Sequence, residues 1–272
     1  MHRVAHILAL LAAVCSRSHY AAAHPSGTES APASQESASR SGQTTQTVVW
    51  RPGLTTPTPA STSPQNGAGR GSNGRSEPFG LHPAVALPIN ASGAAAKWAD
   101  IQSRIANEQK TIESCRAGDR ACPVGARRFL SIVEQGLQSH GRARLGLINR
   151  AVNLSVKPVS DWRQHGAEDF WSSPLETLSA GAGDCEDYAI VKYVALREAG
   201  IAPDELRFVI VRDSKRQTNH AVVAVRHDGQ WLVLDNKTLI MADAEELIHY
   251  RPLLVLDDRG AWAPATALIS TE

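Results

Sequence analysis

The run Gly181-Ala182-Gly183-Asp184-Cys185-Glu186-Asp187-Tyr188 sets one cysteine where a glycine-bearing turn hands over to a helix. Tyr188, Val191 and Ala195 recur at helical spacing and Gly200 stops the run, so a helix is predicted through Ala199. Asp184 reads as its N-cap, with Asp187 as the capping-box partner. Cys185 then lies in the first turn, where free backbone N–H groups and the helix dipole favour an anion. A thiol there has a lowered pKa and more of the nucleophilic thiolate. A small buried cysteine packing a helix start satisfies the same pattern, so position alone does not decide.

A thiol that reacts needs a base, and a hairpin supplies one. His220–Arg226 and Trp231–Asp235 read as strands flanking His227-Asp228-Gly229-Gln230, a strong turn signal. With Asp228-Gly229 as a two-residue loop, His227 faces Gln230 and Val222 faces Asp235. Alternation then puts His220 and Asp235 on one face as diagonal neighbours, with Cα atoms roughly 7–8 Å apart. A carboxylate there fixes the imidazole's tautomer and stabilises its charged form. The imidazole can deprotonate a thiol and later protonate a leaving amine. The remaining residues on both faces are apolar. Bland readings stand beside this one: a hydrogen-bonded histidine at a strand start, and an aspartate opening a turn. Zinc ligation fits poorly, since one Cys and one His lack a close-spaced partner. His165, in the loop before the cysteine helix, is the reserve candidate.

These groups need a framework. Helices are expected over about Ala94–Ser114, Val124–Gln138 and Arg142–Asn153, on the faces of Trp98, Ile101 and Ile105, then Phe129, Ile132 and Val133, then Leu145, Ile148 and Val152. Lys157–Ala180 reads as irregular. Strands follow at Leu206–Arg212 and in the hairpin, with a short one at Leu253–Leu256. Helices followed by an antiparallel sheet indicate an α+β domain over residues 79–272.

Ahead of it, residues 1–23 read as a secretory signal: a weakly basic start, the apolar run Ile7–Val14 and the small residues Ala21-Ala22-Ala23. Acylation at Cys15 is a minority reading. Residues 24–78 are rich in Ser, Thr, Gly and Pro and nearly lack large apolar side chains, so they are expected to be disordered. No other segment is apolar over a membrane-spanning length. A net charge of +1 over 272 residues excludes a strongly basic nucleic-acid binder and a polyanionic tail. Removal of the signal leaves Cys115, Cys122 and Cys185. An exported chain with an odd count has a pair and a leftover thiol. Cys115 and Cys122, flanking a turn-like segment, form the expected disulfide, which leaves Cys185 over.

Gly181–Tyr193, then Asn219-His220-Ala221-Val222, then Leu232-Val233-Leu234-Asp235-Asn236, resemble the bacterial transglutaminase-like cysteine proteinases, LapG-type periplasmic proteases among them. Asp161-Trp162, Glu168-Asp169-Phe170-Trp171 and Ile148–Asn153 also look like that family. The resemblance is clear over about Ile148–Asn236. It implies a papain-like core with Cys185 as nucleophile, His220 as base then acid and Asp235 as orienter. It further implies a Ca2+ site at Asp184 and Glu186, whose two carboxylates need further oxygen ligands. For the LapG branch it implies a large surface adhesin as substrate, cut after paired alanines with release of biofilm, and an inner-membrane cyclic diguanylate receptor as partner. The residues alone leave three functions open: thioester-forming endopeptidase, transglutaminase-type acyl transfer to an amine, and non-catalytic binding module.

Overall fold

The computed structural model describes residues 77–81, 85–87, 93–118 and 121–264. The expected signal, with Cys15, and nearly all of the expected leader lie outside these residues. No helix among the described residues is long and apolar enough to cross a membrane.

Three helices come first: α1, Ala94–Arg116; α2, Val124–Leu137; α3, Gly141–Ser155. Trp98 and Ile101, Phe129 and Ile132, and Leu145, Ile148 and Val152 are buried, as their spacing predicts. A disulfide between Cys115 and Cys122 joins the end of α1 to the approach to α2. The stretch expected to be irregular holds two short helices, α4, Asp161–His165, and α5, Pro174–Ala180. Runs of five and seven residues carry too little periodicity to read as helices. The local signals for α5 are Ser173 with Glu176, a capping box whose Ser173 N–H donates to Glu176 Oε2, with Pro174 at the first helical position and Gly181 at the end.

Helix α6, Cys185–Glu198, is the centre of the domain. Every residue from Cys185 to Leu196 is buried, because α6 packs against α2, α3 and α5 on one side and the sheet on the other. That sheet has seven antiparallel strands in the order β1-β9-β8-β4-β5-β6-β7. They are β1, Val85–Leu87; β4, Leu206–Asp213; β5, Thr218–His227; β6, Gln230–Leu234; β7, Ala242–Asp243; β8, Tyr250–Asp257; and β9, Gly260–Ala263. Two further strands, β2, Lys157–Pro158, and β3, Ala182–Gly183, form a small parallel pair beside the start of α6.

The hairpin register is the predicted one: Val223 pairs with Leu234 and His227 with Gln230. Asp228 and Gly229 have φ of 49° and 83°, the paired positive values that a tight two-residue hairpin loop requires. Val223 and Leu234 face α6, while Val222 and Val233 lie in a second apolar cluster on the opposite face. Strand β8 is longer than expected. Its pairing with β4 slips between Ile210, opposite Leu254, and Val211, opposite Pro252, so Leu253 is an extra residue in a bulge. Arg207, buried on β4, receives Glu77 in a two-pronged contact of 2.7 and 2.9 Å.

Candidate active site

Helix α6 begins at Cys185, with Asp184 as N-cap and Asp187 as its capping-box partner. Asp187 Oδ2 accepts the Asp184 N–H at 3.2 Å, and Oδ1 accepts the Ser172 N–H at 2.8 Å. One carboxylate thus ties the helix start to the segment between α4 and α5. Gly183 is required by closeness: a Cβ there would lie 2.8 Å from Asp187 Cβ.

The sulfur of Cys185 accepts the Ala221 N–H at 3.2 Å. The helix start therefore meets β5 at the residue next to His220. His220 Nε2 lies 2.8 Å from Asp235 Oδ1, and both side chains are buried. The hairpin brings together the pair that alternation predicts, beside the cysteine. Asp235 also accepts the Lys237 N–H on Oδ1 at 2.9 Å and the Tyr250 hydroxyl on Oδ2 at 2.7 Å. Asn153 Nδ2, from α3, donates to the Asp235 carbonyl at 2.8 Å.

Burial by itself would raise the Asp235 pKa. The facing His220 and the donors from Lys237 and Tyr250 outweigh it and hold the carboxyl well below the usual range. Burial pulls His220 below its ordinary value, with Asp235 acting against that pull. Lys192, fully buried on α6, is pushed down by burial to about 7, and Asp235 opposes the shift. His165 is not part of this group: its Nε2 lies 3.5 Å from Ser172 Oγ and its ring packs on Phe170.

Among the described residues no cysteine is free. Cys185 is disulfide-bonded. This corrects the expectation of a leftover thiol. That expectation counted the three cysteines left after removal of residues 1–23, whereas the full sequence has four.

Against the start of α6 lies a set of carboxylates that the sequence only half showed. Asp161, Asp184 and Asp187 bring ligand atoms within 4.8 Å of one another, as do Asp161, Asp169 and Glu186. Glu186 and Asp187 are fully buried and Asp161 nearly so. Asp184 Oδ1 and Glu186 Oε1 are buried without a hydrogen-bond partner. Burial, then mutual repulsion, raises Glu186 and Asp187 well above the carboxylate range, while burial takes Asp184 to about 7. Only Lys97, 2.6 Å from Asp169 Oδ2, pairs a cation with this cluster among the described residues. Orphaned oxygens and unbalanced negative charge are what a hard cation requires, so the cluster can hold a metal ion. Asp161 and Asp169 escaped recognition as ligands because they reach Glu186 from a loop and a short helix, without fixed spacing.

The model of a family described as bacterial transglutaminase-like cysteine proteinase matches residues 106–250. No curated protein matches the sequence. Among solved structures, LapG of Legionella pneumophila is 21% identical, with 60% of this chain and 91% of that one covered and a TM-score of 0.47. A calcium-bound form of the same protein is 22% identical, covering 57% and 86% of the two chains at a TM-score of 0.48. The family match takes in α2 to α6, the Cys185 turn and the His220–Asp235 hairpin. The chain belongs to the bacterial transglutaminase-like cysteine proteinases.

Proposed function

We propose that the protein is an exported cysteine endopeptidase that works through a thioester acyl-enzyme. The observation that carries this is the buried 2.8 Å His220–Asp235 pair at the strand position where Ala221 meets Cys185 Sγ. The reading concerns the reduced thiol. With Nε2 committed to Asp235, Nδ1 is the ring nitrogen left to take the Cys185 proton. The thiolate attacks the peptide carbonyl, and the N–H groups of the first turn of α6 stabilise the oxyanion. His220 then protonates the leaving amine as the C–N bond breaks. Water, deprotonated by His220, hydrolyses the thioester and restores the thiol.

A carboxylate cluster beside a thiol opposes its ionisation. A Ca2+ ion held by Asp161, Asp169, Asp184 and Glu186 would offset that charge and fix the start of α6. Following the LapG type, the substrate is the N-terminal part of a large surface adhesin. Cleavage after paired alanines then releases biofilm, and a cyclic diguanylate receptor of the inner membrane is the regulating partner. The signal-like residues 1–23 support export, and a periplasmic location follows from such a partner.

The test compares N-termini of exported proteins from wild-type and Cys185→Ala cells, with in vitro cleavage of a quenched fluorescent peptide containing Ala-Ala under reducing conditions. New termini present only in wild type support the reading. Processing at an equal rate by Cys185→Ala defeats it. A labelled amine added with a Gln-bearing acyl donor separates transfer from hydrolysis: a cross-linked product favours the transglutaminase alternative. A chain that neither cleaves nor transfers is the non-catalytic binding module.

A further inference from the structure

We propose that Tyr250 is a positioning residue, which holds Asp235 Oδ2 so that Oδ1 is presented to His220. The proposal rests on the peptidase reading for its kinetic consequence but not for its electrostatic one. The Tyr250 hydroxyl donates to Oδ2 at 2.7 Å, while His220 Nε2 and the Lys237 N–H share Oδ1 at 2.8 and 2.9 Å. With both oxygens engaged, the carboxylate cannot rotate away from the imidazole. The Tyr250 ring also lies beside the imidazole, with centroids 5.7 Å apart, and the residue is 6% exposed. Burial, then the neighbouring Asp235 charge, keeps the phenol protonated and therefore a donor.

A core tyrosine needs some partner for its hydroxyl, so the contact by itself has a bland explanation. The strand register supplies the second observation. Leu254 and Leu256 face the helices. Strict alternation along β8 would carry Pro252 and Tyr250 to that same face. The extra residue at Leu253 reverses the alternation, placing Pro252 opposite Val211 and Tyr250 opposite Asp213. Val211 pairs with His220 across β4 and β5. The bulge therefore turns Tyr250 onto the face that bears His220 and Asp235. The reversal seats the Tyr250 ring in the second apolar cluster, and from there its hydroxyl reaches Asp235 Oδ2.

Other charges surround the pair: Lys192 from α6, Asp213 at the end of β4, Arg216 in the following turn, and Lys237 after β6. The His249 ring lies against Tyr250, tilted by 50° with centroids 4.4 Å apart. All of these stay in place in a Tyr250→Phe chain, so a change there reports the hydroxyl.

The experiment follows the His220 ring by NMR titration in reduced wild type and Tyr250→Phe, and measures kcat and KM on the Ala-Ala peptide. Without the hydroxyl the Asp235 charge is less shared and favours the imidazolium more, so the midpoint rises by about one pH unit. The loosened carboxylate lowers kcat about tenfold at unchanged KM. A 3-fluorotyrosine at position 250, a stronger donor of nearly the same volume, moves the midpoint down. It also decides the matter should Tyr250→Phe not fold. Midpoints that do not move, or that move in the opposite directions, overturn the proposal. A wild type that cleaves nothing defeats the peptidase reading alone, because the titrations still judge Tyr250.

Discussion

At position 235 a carboxylate does what a carboxamide of the same shape cannot. It accepts from His220, the Lys237 N–H and Tyr250 while lacking any proton of its own to donate. Asp235→Asn keeps the volume but places an NH2 or a neutral oxygen against Nε2. The imidazolium loses its counter-charge and the neutral ring loses its enforced tautomer. We expect kcat on the peptide to fall by a factor on the order of a thousand or more, with KM little changed. A circular-dichroism melt would separate this from unfolding, and a loss of less than tenfold would remove Asp235 from its role. The His220–Asp235 pairing was legible in the sequence because the hairpin joining them is free of bulges and side-chain alternation survives across it. Tyr250 was illegible for the opposite reason: a bulge within β8 cancels the alternation that would have located it.

Two elements carry the site, and each has a fastening that can be broken separately. The start of α6 depends on Gly183, where a Cβ would press on the Cβ and carboxylate of Asp187. Gly183→Ala must move Asp187 from the Asp184 and Ser172 N–H groups. The expected cost is about 1–3 kcal/mol, measured by urea unfolding, together with a slower alkylation of reduced Cys185. The end of β4 depends on Asp213, whose buried carboxylate accepts the Lys215 and Arg216 N–H groups, the Arg216 side chain and Lys237 Nζ. Burial would raise its pKa, but these donors win and lower it to about 2. A depressed folded pKa contributes stability that is present above the ordinary aspartate range and is lost as pH falls toward 2. Asp213→Asn should therefore cost about 2 kcal/mol at pH 6. The two melting curves should converge as pH drops through the range from about 4 to 2. A constant gap between them would show that the hydrogen-bond geometry matters and the charge does not.

At the level of the whole molecule, the α+β order, the long helices and the hairpin could be read because each carries its own period over enough residues. The short strands β1, β7 and β9 and the helices α4 and α5 could not, being set by what they pack against. The acidic cluster is of that second kind. Asp161 and Asp169 come to Asp184 and Glu186 only once α4, the loop after it and the start of α6 are assembled. An ion bound there would thus be linked to folding of the domain. Ca2+ at a hundredfold excess over Kd should raise the melting temperature of the reduced chain by ~5–10 °C, and chelation should reverse it. Protons compete for the same oxygens. Burial raises the Asp161 and Asp184 pKa values, that of Asp184 to about 7. The cation-free chain is therefore expected to lose stability as pH rises from the ordinary carboxylate range through about 7. The calcium increment should be larger at pH 8 than at pH 5, and smaller throughout in Asp161→Asn, whose side chain belongs to both ligand groups. A melting temperature indifferent to Ca2+ at pH 8 would mean that the carboxylates are held by protons and Lys97 alone.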